Sequence, residues 1–236
     1  MSTGPVPAIE AVLFDKDGTL FDFAATWEVW AAGFLIRLSE GDQTRAARLG
    51  AVIGYDYETA RFQPDSIAVA GTPDDMVSAL GPEFPHVSRV HLFNTINDEA
   101  ASAPLAQAVP LRPFLGDLKR AGLKLGVATN DAEAPAIAHL HTADVYDVFD
   151  FVVGSDSGYG AKPEPGQLFE FCDLVGVQPE RTLMVGDSTH DLLAGRAAGM
   201  WTAAVLTGMA NADELAPYAD VVVPDIGHLP NWLGIR

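Results

Sequence analysis

Ala11-Val12-Leu13-Phe14-Asp15-Lys16-Asp17-Gly18-Thr19 is the stretch on which the reading of this chain turns. Its first four residues make a short apolar run, the pattern of a strand buried on both faces. Two carboxylates, Asp15 and Asp17, follow at its end, two positions apart. Like charges that close resist being ionised together. A cation between them resolves the conflict, and so does a proton kept on one of them for chemistry. Both solutions suit magnesium-assisted phosphoryl transfer. Gly18 allows a sharp turn, and the Thr19 hydroxyl is positioned to tie the loop down.

Three further apolar runs end in reactive residues. Leu125-Gly126-Val127-Ala128 leads into Thr129-Asn130-Asp131. Phe151-Val152-Val153-Gly154 precedes Lys162-Pro163, and Leu183-Met184-Val185-Gly186 leads into Asp187-Ser188-Thr189-His190-Asp191. In an open parallel sheet the carboxyl ends of the strands line one crevice, where ligands bind. Asp15, Asp17, Thr129, Lys162, Asp187 and Asp191 are therefore expected to converge. The Thr129 hydroxyl can donate to a phosphate oxygen. Asn130 is expected to begin a helix whose backbone N–H groups favour anions. Pro163 keeps Lys162 extended, and its ammonium can neutralise a phosphoryl group and hold Asp15 ionised.

DKDGT, ATN, the lysine of AKPEP and GDSTHD, in that order and each after a strand-like run, resemble the four motifs of the haloacid-dehalogenase superfamily. The layout is similar to its phosphoglycolate-phosphatase-like branch. The motifs span residues 15 to 191. Lys16 stands where family members usually carry an apolar residue, and His190 where asparagine is common. The resemblance implies Asp15 as the nucleophile, forming an aspartyl-phosphate, with Asp17 as general acid and then base. Asp15, Asp187 and Asp191 are expected to crowd Asp17. It further implies Mg2+ held by Asp15, the backbone carbonyl of Asp17, and Asp187. Thr19 and Asp191 stand behind these ligands, Asp191 acting on metal-bound waters or on Lys162. A helix-start charge is the alternative reading of Asp191.

Length and composition agree with an enzyme of this kind. The 236 residues allow a sizeable core. The apolar runs are too short for a membrane span, and the N-terminus carries no secretory pattern. A lone cysteine, Cys172, excludes an internal disulfide framework and points to the reducing cytoplasm. A formal charge of −18 argues against nucleic-acid partners. It also opposes a phosphorylated substrate, so positive charge has to be supplied locally. The expected partner is a small phosphorylated metabolite, and oligomeric state is not legible.

The expected fold is α/β: a Rossmann-like, doubly wound parallel sheet with an inserted helical cap. Strands are read near 11–14, 124–128, 151–153, 182–185, 202–206 and 221–223. Helices are read near 112–121, 132–141, 166–175, 190–198 and 213–219. Pro165 suits the first turn of its helix, and Gly176 the end. Residues 1–22 and 108–236 form the core in this reading, and 23–107 the cap. Phe23, Trp27, Trp30, Phe34 and Leu38 recur at helical spacing and are read as cap core. Thr72-Pro73-Asp74-Asp75 is a helix start. Arg37, Arg45, Arg48 and Arg61 are candidates to meet a substrate carboxylate.

The favoured activity is a magnesium-dependent phosphatase. A sugar phosphomutase of the same superfamily would use the same groups and return the phosphoryl to its product. A dehalogenase would need no metal and lack an acid at Asp17. A phospho-accepting receiver module, a binding protein without turnover, shares an Asp, a Thr and a Lys around magnesium but has no inserted cap.

Overall fold

The computed structural model describes residues 8–235. β1 (Ala11–Phe14) is buried at every position. A π-helical turn, Ala24–Glu28, runs directly into α1 (Val29–Leu38). α2 (Gln43–Val52) is capped by the Asp42 carboxylate, which accepts from Thr44 N and Arg45 N. β2 (Tyr55–Asp56) and β3 (Arg61–Phe62) form a small antiparallel pair. α3 (Ile67–Ala70), α4 (Pro73–Leu80) and α5 (Arg89–Ala100) follow. Thereafter α6 (Leu111–Arg120), β4 (Lys124–Ala128), α7 (Glu133–Thr142) and β5 (Phe151–Val153) alternate. The pattern continues through α8 (Gly166–Val175), β6 (Thr182–Gly186), α9 (Thr189–Ala198) and β7 (Trp201–Val205). It ends with α10 (Ala212–Leu215), β8 (Val221–Val223) and α11 (Leu229–Leu233). Among the described residues no helix is long and apolar enough to cross a membrane.

Six strands of the described chain make one sheet in the order β5-β4-β1-β6-β7-β8, all parallel. β1 lies near its middle. Its alternate side chains enter opposite layers, as strand geometry requires. Val12 and Phe14 join Leu115 and Leu118 of α6, while Ala11 and Leu13 join Leu168 and Phe171 of α8. Phe14 is in register with Val127 on one side and Val185 on the other. Asp15, Thr129 and Asp187 therefore leave the sheet along the same edge, within two residues of that shared level.

The segment between β1 and α6 has its own apolar cluster, built on Trp30, Phe34, Leu35, Leu49, Val77 and Leu80. α4 begins as its sequence demands. The Thr72 hydroxyl accepts from Asp75 N, and the Asp75 carboxylate accepts from Thr72 N, a reciprocal capping box with Pro73 in the first turn.

Several boundaries differ from the sequence reading. The β2–β3 pair was not anticipated; each strand has two residues, and nothing but the Tyr55↔Phe62 and Asp56↔Arg61 pairs marks it. The first aromatic turn is π-helical rather than α-helical. Pro165 caps α8 instead of entering its first turn, while Gly176 ends it in the left-handed conformation with φ 71°. The helix read at 213–219 shortens to α10, and the strand read at 202–206 begins one residue earlier.

Candidate active site

The carboxyl edge of the sheet gathers three buried aspartates. One carboxylate oxygen each from Asp15, Asp187 and Asp191 lies within 4.8 Å of the others. Asp15 follows β1, Asp187 follows β6, and Asp191 sits in the first turn of α9. Lys162 enters from the loop before α8. Its Nζ donates to Asp15 Oδ1 at 2.6 Å and to the Ala128 carbonyl at 2.7 Å, and lies 2.6 Å from Asp191 Oδ1. All three ammonium protons are thereby engaged. The other oxygen of Asp191 accepts from Ser188 N and Ser188 Oγ, closing the capping box of α9. The two readings of Asp191, site residue and helix-start charge, thus describe one side chain with two faces.

The electrostatics of this cluster are lopsided. Burial raises Asp15 to about 7; Lys162 opposes the rise, and Asp191 and Asp17 add to it. Burial likewise lifts Asp187 well above the ordinary carboxylate range, with Asp15 and Asp191 adding to it. Lys162 is raised, because Asp15 and Asp191 outweigh the cost of burying its charge. Three acids against one ammonium leave the cluster short of positive charge. The donor set is all oxygen, which suits a hard divalent cation such as Mg2+. Asp187 is also held for such a role. A Cβ at Gly18 or at Gly208 would run into its carboxylate, so glycines close on it from two sides. Gly18 additionally has φ 79°. Thr19 Oγ1 lies 3.5 Å from Asp187 Oδ1, at the limit of a hydrogen bond.

Asp17 lines the same cleft but looks elsewhere. Instead of facing the other three acids, its carboxylate is paired with Lys16 Nζ at 2.7 Å. Lys16 is fully buried. Its ammonium also lies 3.1 Å from Asp131 Oδ2, 3.0 Å from His139 Nδ1 and 5.3 Å from the centre of the Trp27 ring. Burial alone would lower its pKa; Asp17 and Asp131 reverse the sign and raise it. His139 Nε2 is 2.8 Å from the Ala100 carbonyl. The contacts fix the tautomer: Nε2–H donates to Ala100, and Nδ1 accepts from Lys16. Burial, helped by the Lys16 charge, lowers His139 to about 4, so the ring is neutral. Sequence alone signalled Lys16 only as an oddity and gave His139 no partner. Asp131 was visible directly after Thr129-Asn130, without a role.

The structure moves Asn130. It lies three residues before α7, which opens at Glu133, and so does not start that helix. Its amide instead clamps the lysine loop, with Nδ2 donating to the Lys162 carbonyl and Oδ1 accepting from Lys162 N, both at 2.9 Å. Thr129 is buried on the cleft wall, and its hydroxyl accepts from Asp131 N at 3.1 Å. Gln167, which the motifs do not include, directs Nε2 at the carbonyls of Thr129, Gly154 and Gly160 and binds these loops together. His190 reaches the cleft.

A parallel sheet whose carboxyl edge carries an aspartate loop, a lysine and a second aspartate pair, roofed by an inserted segment, defines a Rossmann-like hydrolase architecture. The model of the haloacid dehalogenase-like hydrolases matches residues 9–199, and the chain belongs to that family of enzymes. A phosphoglycolate phosphatase of Nitrosospira multiformis is 30% identical over 94% of this chain and 94% of its own length. The pyrophosphatase PpaX of Bacillus cereus is 38% identical over 84% of this chain and 83% of its own. A solved HAD phosphatase from Thermococcus onnurineus shares the fold with a TM-score of 0.65 at 23% identity, covering 97% of this chain and 99% of that one.

Proposed function

We propose that this chain is a magnesium-dependent phosphatase that hydrolyses a small phosphorylated metabolite, with 23–107 acting as a cap domain over a core of 1–22 and 108–236. The observation that carries the reading is the buried set of Asp15, Asp187 and Asp191 around a single lysine. Asp15 attacks phosphorus; its Oδ–P bond forms as the bond to the leaving oxygen breaks. Asp17, once it has taken a proton from solvent and turned from Lys16 to the leaving oxygen, gives that oxygen the proton and then takes one from water, which attacks phosphorus and frees Asp15 and inorganic phosphate. Lys162 and the Thr129 hydroxyl bind the phosphoryl oxygens, and Asn130 holds Lys162 in place for this. Mg2+ held by Asp15, Asp187 and the Asp17 carbonyl would supply the missing positive charge. Thr19 and Asp191 orient these groups from behind. The single, buried Cys172 supports a cytoplasmic, reducing setting.

Phosphate release from a panel of phosphate monoesters, with Mg2+ and with chelator, tests the reading. We expect release that needs the metal and falls by about 10³-fold or more in Asp15→Asn, the scale seen when a catalytic group is removed. Release that persists in Asp15→Asn would overturn the nucleophile. Phosphate transferred to another position of a sugar phosphate, with none set free, would mean a mutase.

A further inference from the structure

The roof of the cleft has a chemistry quite unlike its floor. Below lie the aspartates, Thr129 and Lys162. Above lie Trp27, Trp30, Phe62, Ile67, Met76 and Ile96, all from the segment between β1 and α6. Thr72 is the only hydroxyl of that roof, and it is already engaged in the capping box of α4.

Residues 23–107 contain five arginines and no lysine, and none of the arginines lines the cleft; Lys16, just before them, does not line it either and is taken up by Asp17, Asp131 and His139. Each has a partner elsewhere. Arg37 is bidentate to Glu99, Arg48 pairs with Glu83 at 3.0 Å, Arg89 with Asp74 at 3.0 Å, and Arg61 lies 4.0 Å from Glu28. Arg45 rests on the Phe84 ring, 5.0 Å from its centre. On the floor, Lys162 is held between Asp15 and Asp191, and the phosphatase reading commits it to the transferring phosphoryl group, not to a second anion. A carboxylate or a second phosphate on the leaving group would therefore enter an apolar pocket with no cation to meet it, and burying an unpaired charge is strongly unfavourable. An apolar group gains from the same burial.

Resting on the phosphatase reading, we infer that the substrate is the phosphate monoester of an uncharged, apolar alcohol, alkyl or aryl, whose body packs under Trp27, Trp30 and Met76. The reaction is ordinary monoester hydrolysis: the phosphorus–oxygen bond breaks, water supplies the new one, and the alcohol leaves protonated. The substrates for which the two relatives above are named, phosphoglycolate and pyrophosphate, both carry a second anionic group that this roof would not accept.

The test uses the full chain with Mg2+ and a matched panel: ethyl, butyl, hexyl and benzyl phosphate against phosphoglycolate, pyrophosphate and glucose 6-phosphate. We expect kcat/KM to climb at least tenfold from ethyl to hexyl phosphate, as buried methylenes are added. Benzyl phosphate should exceed phosphoglycolate by at least tenfold. Ile67→Arg, half-buried at the edge of the roof, should narrow or invert that ratio, and far-UV circular dichroism confirms that the variant folds. Preference for phosphoglycolate, pyrophosphate or the sugar phosphate in the parent enzyme would overturn the inference while leaving the phosphatase reading intact. Release from no member of the panel would overturn both.

Discussion

Replacing Lys16 by methionine separates the charge of this side chain from its bulk. Methionine retains most of the buried stem, so packing changes little. What disappears is the ammonium that serves Asp17 at 2.7 Å, Asp131 at 3.1 Å and His139 Nδ1 at 3.0 Å. Removing one partner of a buried ion pair costs about 3–5 kcal/mol. Burial already raises Asp131, against the pull of Lys16, and both carboxylates keep some contact with solvent, 16% for Asp17 and 12% for Asp131. This places the loss near the lower end, about 3 kcal/mol. For a chain of this size each kcal/mol shifts Tm by about 2–4 °C, giving a fall of roughly 6–12 °C. Thermal unfolding followed by circular dichroism at pH 7 reads it directly. Lys16→Met combined with Asp131→Asn should recover at least about 1 kcal/mol relative to additivity, since neighbours in one network do not behave independently. A Tm within about 2 °C of the parent, or above it, would show that the ammonium does not hold this region together and would refute the argument.

His139→Gln should alter the pH dependence of stability. The histidine titrates near 4 in the folded protein and near 6.5 when unfolded, so between those values the unfolded chain binds more protons, and stability declines as pH falls through that window. Asp15, held at about 7, acts in the opposite direction, so the readout is the Tm difference between parent and variant from pH 7 to 4.5; a constant difference would refute the neutral buried ring. Gly126→Ala brings a Cβ to 2.7 Å from the Phe171 ring and 2.9 Å from Leu13; urea unfolding should show a loss of about 1–3 kcal/mol from overpacking, with an unchanged slope. Asn130→Ala removes both hydrogen bonds that fix the Lys162 backbone. Steady-state kinetics should show kcat falling by about tenfold or more from misplacement of Lys162, with Tm moving far less than in Lys16→Met.

The strands of the main sheet were legible because they are compact apolar runs, and two of the central ones, β1 and β6, are buried at every position. Local chemistry also read well where it was self-contained, as in the Thr72-to-Asp75 capping box. What sequence hid was mostly contact between distant residues. Lys16 and His139 are 123 positions apart, and neither carries a local sign of the other. Asn130 looked like a helix start because a turn of loop separates it from α7, and that turn has no signature of its own. The aromatic series from Phe23 to Phe34 was read as cap core, and its end at Phe34 is fully buried. Phe23, Trp27 and Trp30 also surface on the cleft, which helical spacing cannot distinguish from burial in a core. β2 and β3 are too short for alternation to register at all.

The central place of β1 bears on how the molecule is made. Ribosomes deliver Ala11–Phe14 more than one hundred residues before its hydrogen-bonding neighbours, which begin at Lys124 and Thr182. Until Lys124 emerges this greasy tetrapeptide has no ladder to join, while the intervening helices can already settle on their own cluster around Leu35, Leu49 and Leu80. Assembly of the sheet is thus a non-local event that waits on Thr182–Gly186. Ribosome-stalled chains halted before residue 182 should remain protease-sensitive at their N-terminal end and become resistant once that residue has cleared the exit tunnel.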